Sequence, residues 1–391
     1  MRSTLAFLLI VLIPGCASRP GQDNVQDRPE TALRFADAVM FRSDSLIYYQ
    51  REKPKYEYDF AFLAMAIGKL GVYNQKYADY ERAYIDYFVQ DDGTIHGYKR
   101  SDFNIDRIRP GFNMLSLYEK TGNEKYKKAI QILVSQMDEH PLTRSNGFWH
   151  KKRYPWQMWL DGIYMASPFL ARYARDFDQP RYFDEVVFQI QLIYQKTLDP
   201  ETGLLYHAWD ESREQRWCNP ETGQSKHFWS RGTGWYMMAL VDVLDYLPQD
   251  HPGRNSVLQI LNKVSSALLD VRDKNTGLWY QVLDLGGREG NYIEASGSAM
   301  FIYAFAKGAK KGYLDEKYLT LAEESFHSMM QNLVITGSDG TPTLTHTCGA
   351  CGLGGDPYRE GDYAYYISEK KVNNDTKGVA PLILAAIELG K

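Results

Sequence analysis

A glycine-turned motif recurs along this chain and limits the folds open to it. It appears as Asp92-Gly93-Thr94-Ile95-His96-Gly97-Tyr98 and returns as Asn146-Gly147-Phe148-Trp149-His150. Two further copies are Thr202-Gly203-Leu204-Leu205-Tyr206-His207 and Thr276-Gly277-Leu278-Trp279-Tyr280-Gln281, and a weaker one runs from Asp339 to His346. The first two gaps between glycines are 54 and 56 residues, and the later gaps of 74 and 63 leave room for loop insertions. A period near 50 residues marks a repeated supersecondary unit. Helical periodicity fills the intervals. It predicts helices near 30–49, 56–71, 75–89, 106–121, 124–139, 158–175, 180–196, 231–247, 254–270, 294–310, 315–331 and 376–389. From Tyr182 to Lys196, for example, Phe183, Val186, Val187, Ile190, Ile193 and Tyr194 fall on one helical face. Each unit is then two helices and one extended loop. Six such pairs predict an all-α closed double ring, an (α/α)6 barrel, with an open helical solenoid as the alternative. Closure fits better, because neither end carries a polar capping repeat. Residues 30–391 form one domain on this reading, although length alone would suggest two or three.

The start of the chain reads as a targeting segment. Arg2 precedes an apolar run from Leu5 to Ile13, about the length of a signal-peptide core and too short to span a bilayer. Ile13-Pro14-Gly15-Cys16 resembles a bacterial lipobox. Residues 1–15 are expected to be a lipoprotein signal peptide, with a lipid on Cys16 and residues 16–29 as a polar tether. The protein is expected to be exported, to the periplasm or the cell surface, and to meet the membrane only through that anchor.

With 45 basic and 49 acidic residues the net charge is -4, which gives no field for nucleic acid. Aromatic residues make up 14% of the chain, including 29 tyrosines and 8 tryptophans. They are core material first, but such a surplus also suits a cleft that stacks sugar rings. Apart from Cys16 there are three cysteines, Cys218, Cys348 and Cys351. The Cys348-Gly349-Ala350-Cys351 spacing has no second pair, so zinc is not expected, and a local disulfide or two buried thiols are both open. No metal-binding histidine spacing appears. Gly232-Thr233-Gly234 lacks the lysine and preceding strand of a phosphate loop. Neither a cofactor nor a catalytic metal is expected.

Two stretches carry the chemistry. In Gln157-Met158-Trp159-Leu160-Asp161-Gly162-Ile163-Tyr164-Met165 a carboxylate sits among large apolar side chains. Burial disfavours its charged form, and a carboxyl group that keeps its proton can act as a general acid. Asp161 also suits a helix N-cap, and the two readings are compatible. Asp106, in Phe103-Asn104-Ile105-Asp106-Arg107-Ile108-Arg109, reads first as a surface ion-pairing residue. Its place at a helix start one repeat before Asp161 makes it the second candidate. In the other stretch, Trp229-Ser230-Arg231-Gly232-Thr233-Gly234-Trp235, an arginine stands between tryptophans. That suits a ligand with a flat face and a carboxylate, or a buried arginine paired with a structural acid. His150 and His207 each end a glycine turn, so the repeat predicts that they are neighbours at one mouth of the ring.

Together and in order, these motifs resemble glycoside hydrolase family 105. The resemblance rests on Trp149-His150, Tyr154 to Met165, Tyr206-His207, Trp229 to Trp235, Glu294 to Met300, Cys348 to Gly355 and Asn374 to Gly378, and it runs from about residue 30 to 390. It implies an (α/α)6 barrel that hydrates the double bond of a 4,5-unsaturated uronic acid at the non-reducing end of an oligosaccharide made by a polysaccharide lyase. The typical substrate is unsaturated galacturonyl-rhamnose from rhamnogalacturonan. The resemblance makes Asp161 the proton donor and Asp106 its partner. It also implies that Tyr58, His150, Trp159, His207, Trp229, Arg231 and Trp235 bind the sugar, with Tyr56 as a rival to Tyr58. Trp156 stands where the family often has an acid, and Tyr358 to Tyr363 varies in its acids, so both bear on the aglycone side. The alternatives are an unsaturated glucuronyl hydrolase acting on another lyase product, a conventional (α/α)6 glycosidase using Asp106 and Asp161, and a lipoprotein that only binds glycans.

Overall fold

In the computed structural model, long helices buried over most of their surface alternate with helices that bury one face. The structure describes residues 27–391; the expected signal peptide, the expected lipid site at Cys16 and most of the expected tether lie outside them. The helices are α1 (Asp27–Arg42), α2 (Tyr58–Gly68), α3 (Gln75–Phe88), α4 (Gly111–Thr121), α5 (Glu124–Asp138), α6 (Leu160–Asp176) and α7 (Arg181–Thr197). They continue as α8 (Ser230–Val243), α9 (Arg254–Asp270), α10 (Ala295–Lys310), α11 (Lys317–Leu333), α12 (Tyr363–Ser368) and α13 (Thr376–Gly390). Each residue of α8 is buried, and α10 is buried from Ala295 to Gly308. A helix buried on every side in this way, predominantly apolar, belongs inside a protein. By contrast α7 buries Phe183, Val186, Val187, Ile190 and Ile193 on one face and turns the other outward.

The buried helices α2, α4, α6, α8, α10 and α13 form an inner ring. Neighbours α4–α6, α6–α8, α8–α10, α10–α13 and α13–α2 pack on one another. The α2–α4 junction is joined where Asn113 Nδ2 donates to the carbonyl of Ala61 at 3.0 Å. Helices α1, α3, α5, α7, α9 and α11 lie outside, and α1 packs on α13, so the first and last of the described helices complete the toroid. Close approach within the ring needs small residues. A Cβ on Gly297 of α10 would sit 1.9 Å from Ser230 Oγ and 2.9 Å from the Ser230 carbonyl carbon.

All twelve expected helices are present, and their ends differ where side chains compete with the backbone. The first stops at Arg42, because Ser43 and Ser45 bond to local backbone groups instead. The fourth begins at Gly111: Pro110 disfavours helix in the residue before it, so Ile105–Arg107 is a separate 3-10 turn. Asp106 therefore lies on that turn and not in a helix. The short α12 has no periodic signal long enough to predict it. Three two-residue to three-residue ladders complete the described elements: β1 (Gln157–Trp159) with β2 (Ala208–Asp210), β3 (Val334–Thr336) with β4 (Pro342–Leu344), and β5 (Thr347–Cys348) with β6 (Lys371–Val372).

The glycine turns follow outer helices. Gly93, Gly203, Gly277 and Gly340 have positive φ, where a Cβ is unfavourable. The second turn differs: Asn146 takes the left-handed conformation, at φ 64°, in place of Gly147. Gly147 is required for space, since a Cβ there would lie 2.1 Å from Met158 Sδ.

Candidate active site

The starts of α6, α8 and α10, and the 3-10 turn before α4, are each tied to the turn of the next unit. The amide of Ile105 donates to the carbonyl of His150, that of Leu160 to His207, that of Ser230 to Gln281 and that of Ala295 to His346. The residues that follow these four amides are Asp106, Asp161, Arg231 and Ser296. One backbone position, repeated in four units, thus delivers the polar groups at the mouth of the ring. Asp106, Asp161 and Arg231 line a cavity of about 280 Å³ there, together with Tyr58, His150, Trp159 and Trp229.

Asp161 is not the N-cap of α6. That place belongs to Trp159, whose side chain makes no capping bond, and Asp161 is the second residue of the helix. The apolar neighbours in sequence do not enclose it either: Leu160, Ile163 and Tyr164 go into the barrel core. Its Oδ2 is buried without a hydrogen-bond partner. The nearest polar group is His207 Nε2 at 3.6 Å, also unpartnered. His207 is fully buried and its Nδ1 is 2.8 Å from the Tyr366 hydroxyl. Burial keeps Tyr366 protonated, its pKa well above 10. Tyr366 thus holds one ring nitrogen of His207 and the other, Nε2, faces Asp161.

Asp106 is held differently. Asn104 caps the turn by accepting from the Asp106 amide at 3.1 Å. The carboxylate pairs with Lys151 Nζ, and His150 Nε2 lies 3.5 Å from its Oδ1. His150 is buried, and loss of solvent, reinforced by Lys151, holds its pKa well below 6.5. It is therefore neutral. Its ring stacks on Trp159, with centroids 4.4 Å apart. His207 meets the same indole edge-on at 5.6 Å, so Trp159 stands between the two histidines. Gly162 gives His150 its room: a Cβ there would lie 3.1 Å from His150 Nδ1.

Arg231 is buried, is linked to an acid only through a serine, and also lines the cavity. The guanidinium lies 4.7 Å from the centre of the Trp229 ring, donates to the Cys348 carbonyl and reaches Ser296 Oγ at 3.2 Å. Ser296 in turn bonds Glu294, which also accepts from the Cys348 amide at 2.9 Å. Arg231 is thus anchored through Glu294 yet lines the cavity. Trp229 is fixed by Nε1 donating to Gln281 at 3.1 Å, and Trp159 likewise by Gln157 at 3.1 Å. Tyr58 lines the cavity, while Tyr56 is buried against Phe88 and Tyr98. Two of the expected sugar-binding residues do not line the cavity: His207, which is fully buried, and Trp235. Trp235 is wholly buried behind Tyr58, packed on Phe62 and Tyr164, and does not reach the cavity.

Sequence reasoning missed Lys151, Tyr366 and Gln281. Lys151 adjoins His150 in the motif, which was the available signal. Tyr366 lies 159 residues from His207 and carries none. Cys348 and Cys351 are both buried thiols with Sγ atoms 3.2 Å apart, and Cys351 lines the cavity. Among the described residues, no group of three or more His, Cys, Asp or Glu is set to hold a metal ion, and no helix is long and apolar enough to cross a membrane.

Comparison with known proteins follows the same lines. The sequence profile of Glycosyl Hydrolase Family 88 matches residues 31–391. A solved structure of a family 105 glycoside hydrolase from C. acetobutylicum ATCC 824 is 41% identical, covers 92% of this chain and 98% of its own, and superposes with a TM-score of 0.88. An unsaturated 3S-rhamnoglycuronyl hydrolase of Formosa agariphila is 28% identical over 261 residues, 66% of this chain and 65% of its own. The unsaturated rhamnogalacturonyl hydrolase YesR of Bacillus subtilis is 25% identical over 260 residues, 64% of this chain and 69% of its own. The profile, the identity and the superposition agree with a sugar-sized cavity carrying two acids: the chain belongs to glycosyl hydrolase family 88, in the group it forms with family 105, and is a carbohydrate hydrolase.

Proposed function

We propose that the protein removes a 4,5-unsaturated uronic acid, galacturonate in the first instance, from the non-reducing end of rhamnogalacturonan oligosaccharides released by a lyase. The observation that carries this reading is the unpartnered, buried Oδ2 of Asp161 beside a cavity that also holds Asp106. Asp161 donates its proton to C4 of the double bond. Positive charge develops at C5 and the ring oxygen. Water adds at C5 and gives its proton to Asp161 or Asp106, and the hemiketal formed opens to release the aglycone. One water is consumed, and the anomeric bond is not attacked directly. The separation of the two carboxylates therefore says nothing of retention or inversion. His207 and His150 orient the acids, and Arg231 faces the uronate carboxylate across Trp229.

The names of the Bacillus and Formosa relatives support the substrate class, and the neutral state of His150 supports its role as a hydrogen-bond group. The test is absorbance of the conjugated double bond on lyase-treated and untreated polysaccharide. Loss of absorbance on the treated sample alone is expected, and release of sugar from both would indicate a conventional glycosidase. Asp161→Asn is expected to lower kcat by about 100-fold to 10,000-fold, with its circular dichroism unchanged. We also propose export and lipid attachment at Cys16. Lipid labelling that disappears in Cys16→Ser checks it.

A further inference from the structure

Beside the catalytic cavity lies a larger hollow of about 670 Å³, within the roughly 300–1,000 Å³ range of ligand sites. The two share Glu57, Asp106, Lys151 and Arg153, so a ligand leaving one enters the other. The hollow is basic, although the whole chain carries a net charge of -4. Its cations are Lys55, Lys99, Arg107, Lys151, Lys152 and Arg153, against the acids Glu57, Asp102 and Asp106. Two of the acids are engaged within it. Glu57 pairs with Lys55 and, at 3.4 Å, with Arg107, while Asp106 pairs with Lys151.

The other cations are left over. Lys152 reaches only the Ser101 carbonyl, at 3.4 Å, and the Phe103 ring; Arg153 lies over Tyr154. Among the described residues no carboxylate pairs with Lys99, Lys152 or Arg153. The Nη1 of Arg107 is buried with no hydrogen-bond partner at all. A buried guanidinium nitrogen without a partner is costly unless a ligand supplies one. The positions come from the turn architecture. The amide of Lys152 donates to the Phe103 carbonyl at 3.1 Å, which draws the loop after His150 over the loop before Asp106 and sets their basic side chains around one hollow.

We propose that this hollow binds an acidic sugar of the aglycone, one carrying a carboxylate or a sulfate ester, and that the enzyme acts best on oligosaccharides that extend into it. The proposal rests on the reading of the adjoining cavity as the unsaturated-uronyl site. Lys99 and Lys152 are exposed and lie outside the catalytic cavity, so they separate the two sites. The experiment compares the wild type with the double variant Lys99→Gln, Lys152→Gln. Three unsaturated substrates are used: a disaccharide with a neutral second sugar, the same disaccharide sulfated on that sugar, and a tetrasaccharide with one further uronate. In the double variant KM is expected to rise up to about tenfold on the sulfated or the longer substrate. On the neutral disaccharide it stays within about twofold, and kcat is preserved on all three. The arm that responds identifies the anion. Raised salt should reproduce the effect in the wild type. An equal change on all three substrates, or none on any, overturns the proposal. Should the wild type turn over none of them, the uronyl reading fails on its own. The hollow is then judged by calorimetry with the saturated tetrasaccharide: binding weakened in the double variant supports it, and unchanged or absent binding overturns it.

Discussion

Asp106 and Asp161 share a cavity but are held by different means, which fits the different work proposed for them. Asp106 has a charged partner in Lys151, whereas the Oδ2 of Asp161 has none and faces a buried imidazole. Each acid depends on its histidine being fixed, and two substitutions test this. Gly162→Ala adds a Cβ 3.1 Å from His150 Nδ1. In a helix, alanine is otherwise better than glycine by about 1 kcal/mol. The expected outcome is a protein of nearly unchanged stability whose kcat/KM falls about tenfold or more through the displaced ring. Paired melting and turnover measurements would show that split. Tyr366→Phe removes the hydroxyl bonded to His207 Nδ1. It should lower kcat more than it alters KM and shift the pH profile of turnover. A loss of stability of about 1–2 kcal/mol should accompany it. Unchanged pH dependence would mean that Tyr366 only fills space. At this scale the motif residues were legible because they sit in short contiguous runs. Trp235 shows the limit: its neighbours in sequence are at the site, but its helical position turns it into the core.

At the scale of elements, the recurring tie between an amide at or before an inner helix and the next turn's carbonyl explains why the repeat and the proposed active site coincide. The helix starts converge because the ring brings them together, and each presents its next side chain to the mouth. This depends on close packing between neighbours. Gly297 of α10 faces Ser230, the residue before Arg231, and the clash of an added Cβ includes a backbone atom that cannot rotate away. Gly297→Ala should therefore cost about 1–3 kcal/mol, read from chemical denaturation. It should also weaken substrate binding by moving Arg231. The helical periodicity was readable from the sequence, and so were the turns. The 3-10 segment that carries Asp106 was not, because Pro110 ends the helical pattern over a distance too short for periodicity to register.

Over the whole molecule, the buried ionisable groups set a pH dependence that is separate from catalysis. Glu81 of α3 is enclosed where α2 and α4 meet, bonded by Asn113 at 2.8 Å. Burial raises its pKa from 4.5 to about 7. The stability it contributes is fully present below pH 4.5 and is lost as pH rises through about 7. His140 works the other way. Burial lowers its pKa from 6.5 to about 4, so its contribution is present above pH 6.5 and is lost as pH falls through about 4. Glu81→Gln isolates one of the two. Its stability relative to the wild type should climb by about 3 kcal/mol between pH 4.5 and pH 7, measured by denaturation at a series of pH values. A constant difference across that range would mean that the carboxyl group ionises in place.

What the sequence determined alone was the ring and the order of its motifs. Helical periodicity, turn residues and the spacing of glycines are local properties, and each unit repeats them. The tertiary structure decided how the acids are held: Tyr366 behind His207, Lys151 against Asp106 and Glu294 behind Arg231. It also decided which aromatic rings reach the cavity and where unpaired basic side chains gather beside it. Those juxtapositions join segments up to 159 residues apart. Closing the ring sets them, because a side chain's partner there depends on its helix's rotation and neighbours, which no local pattern encodes.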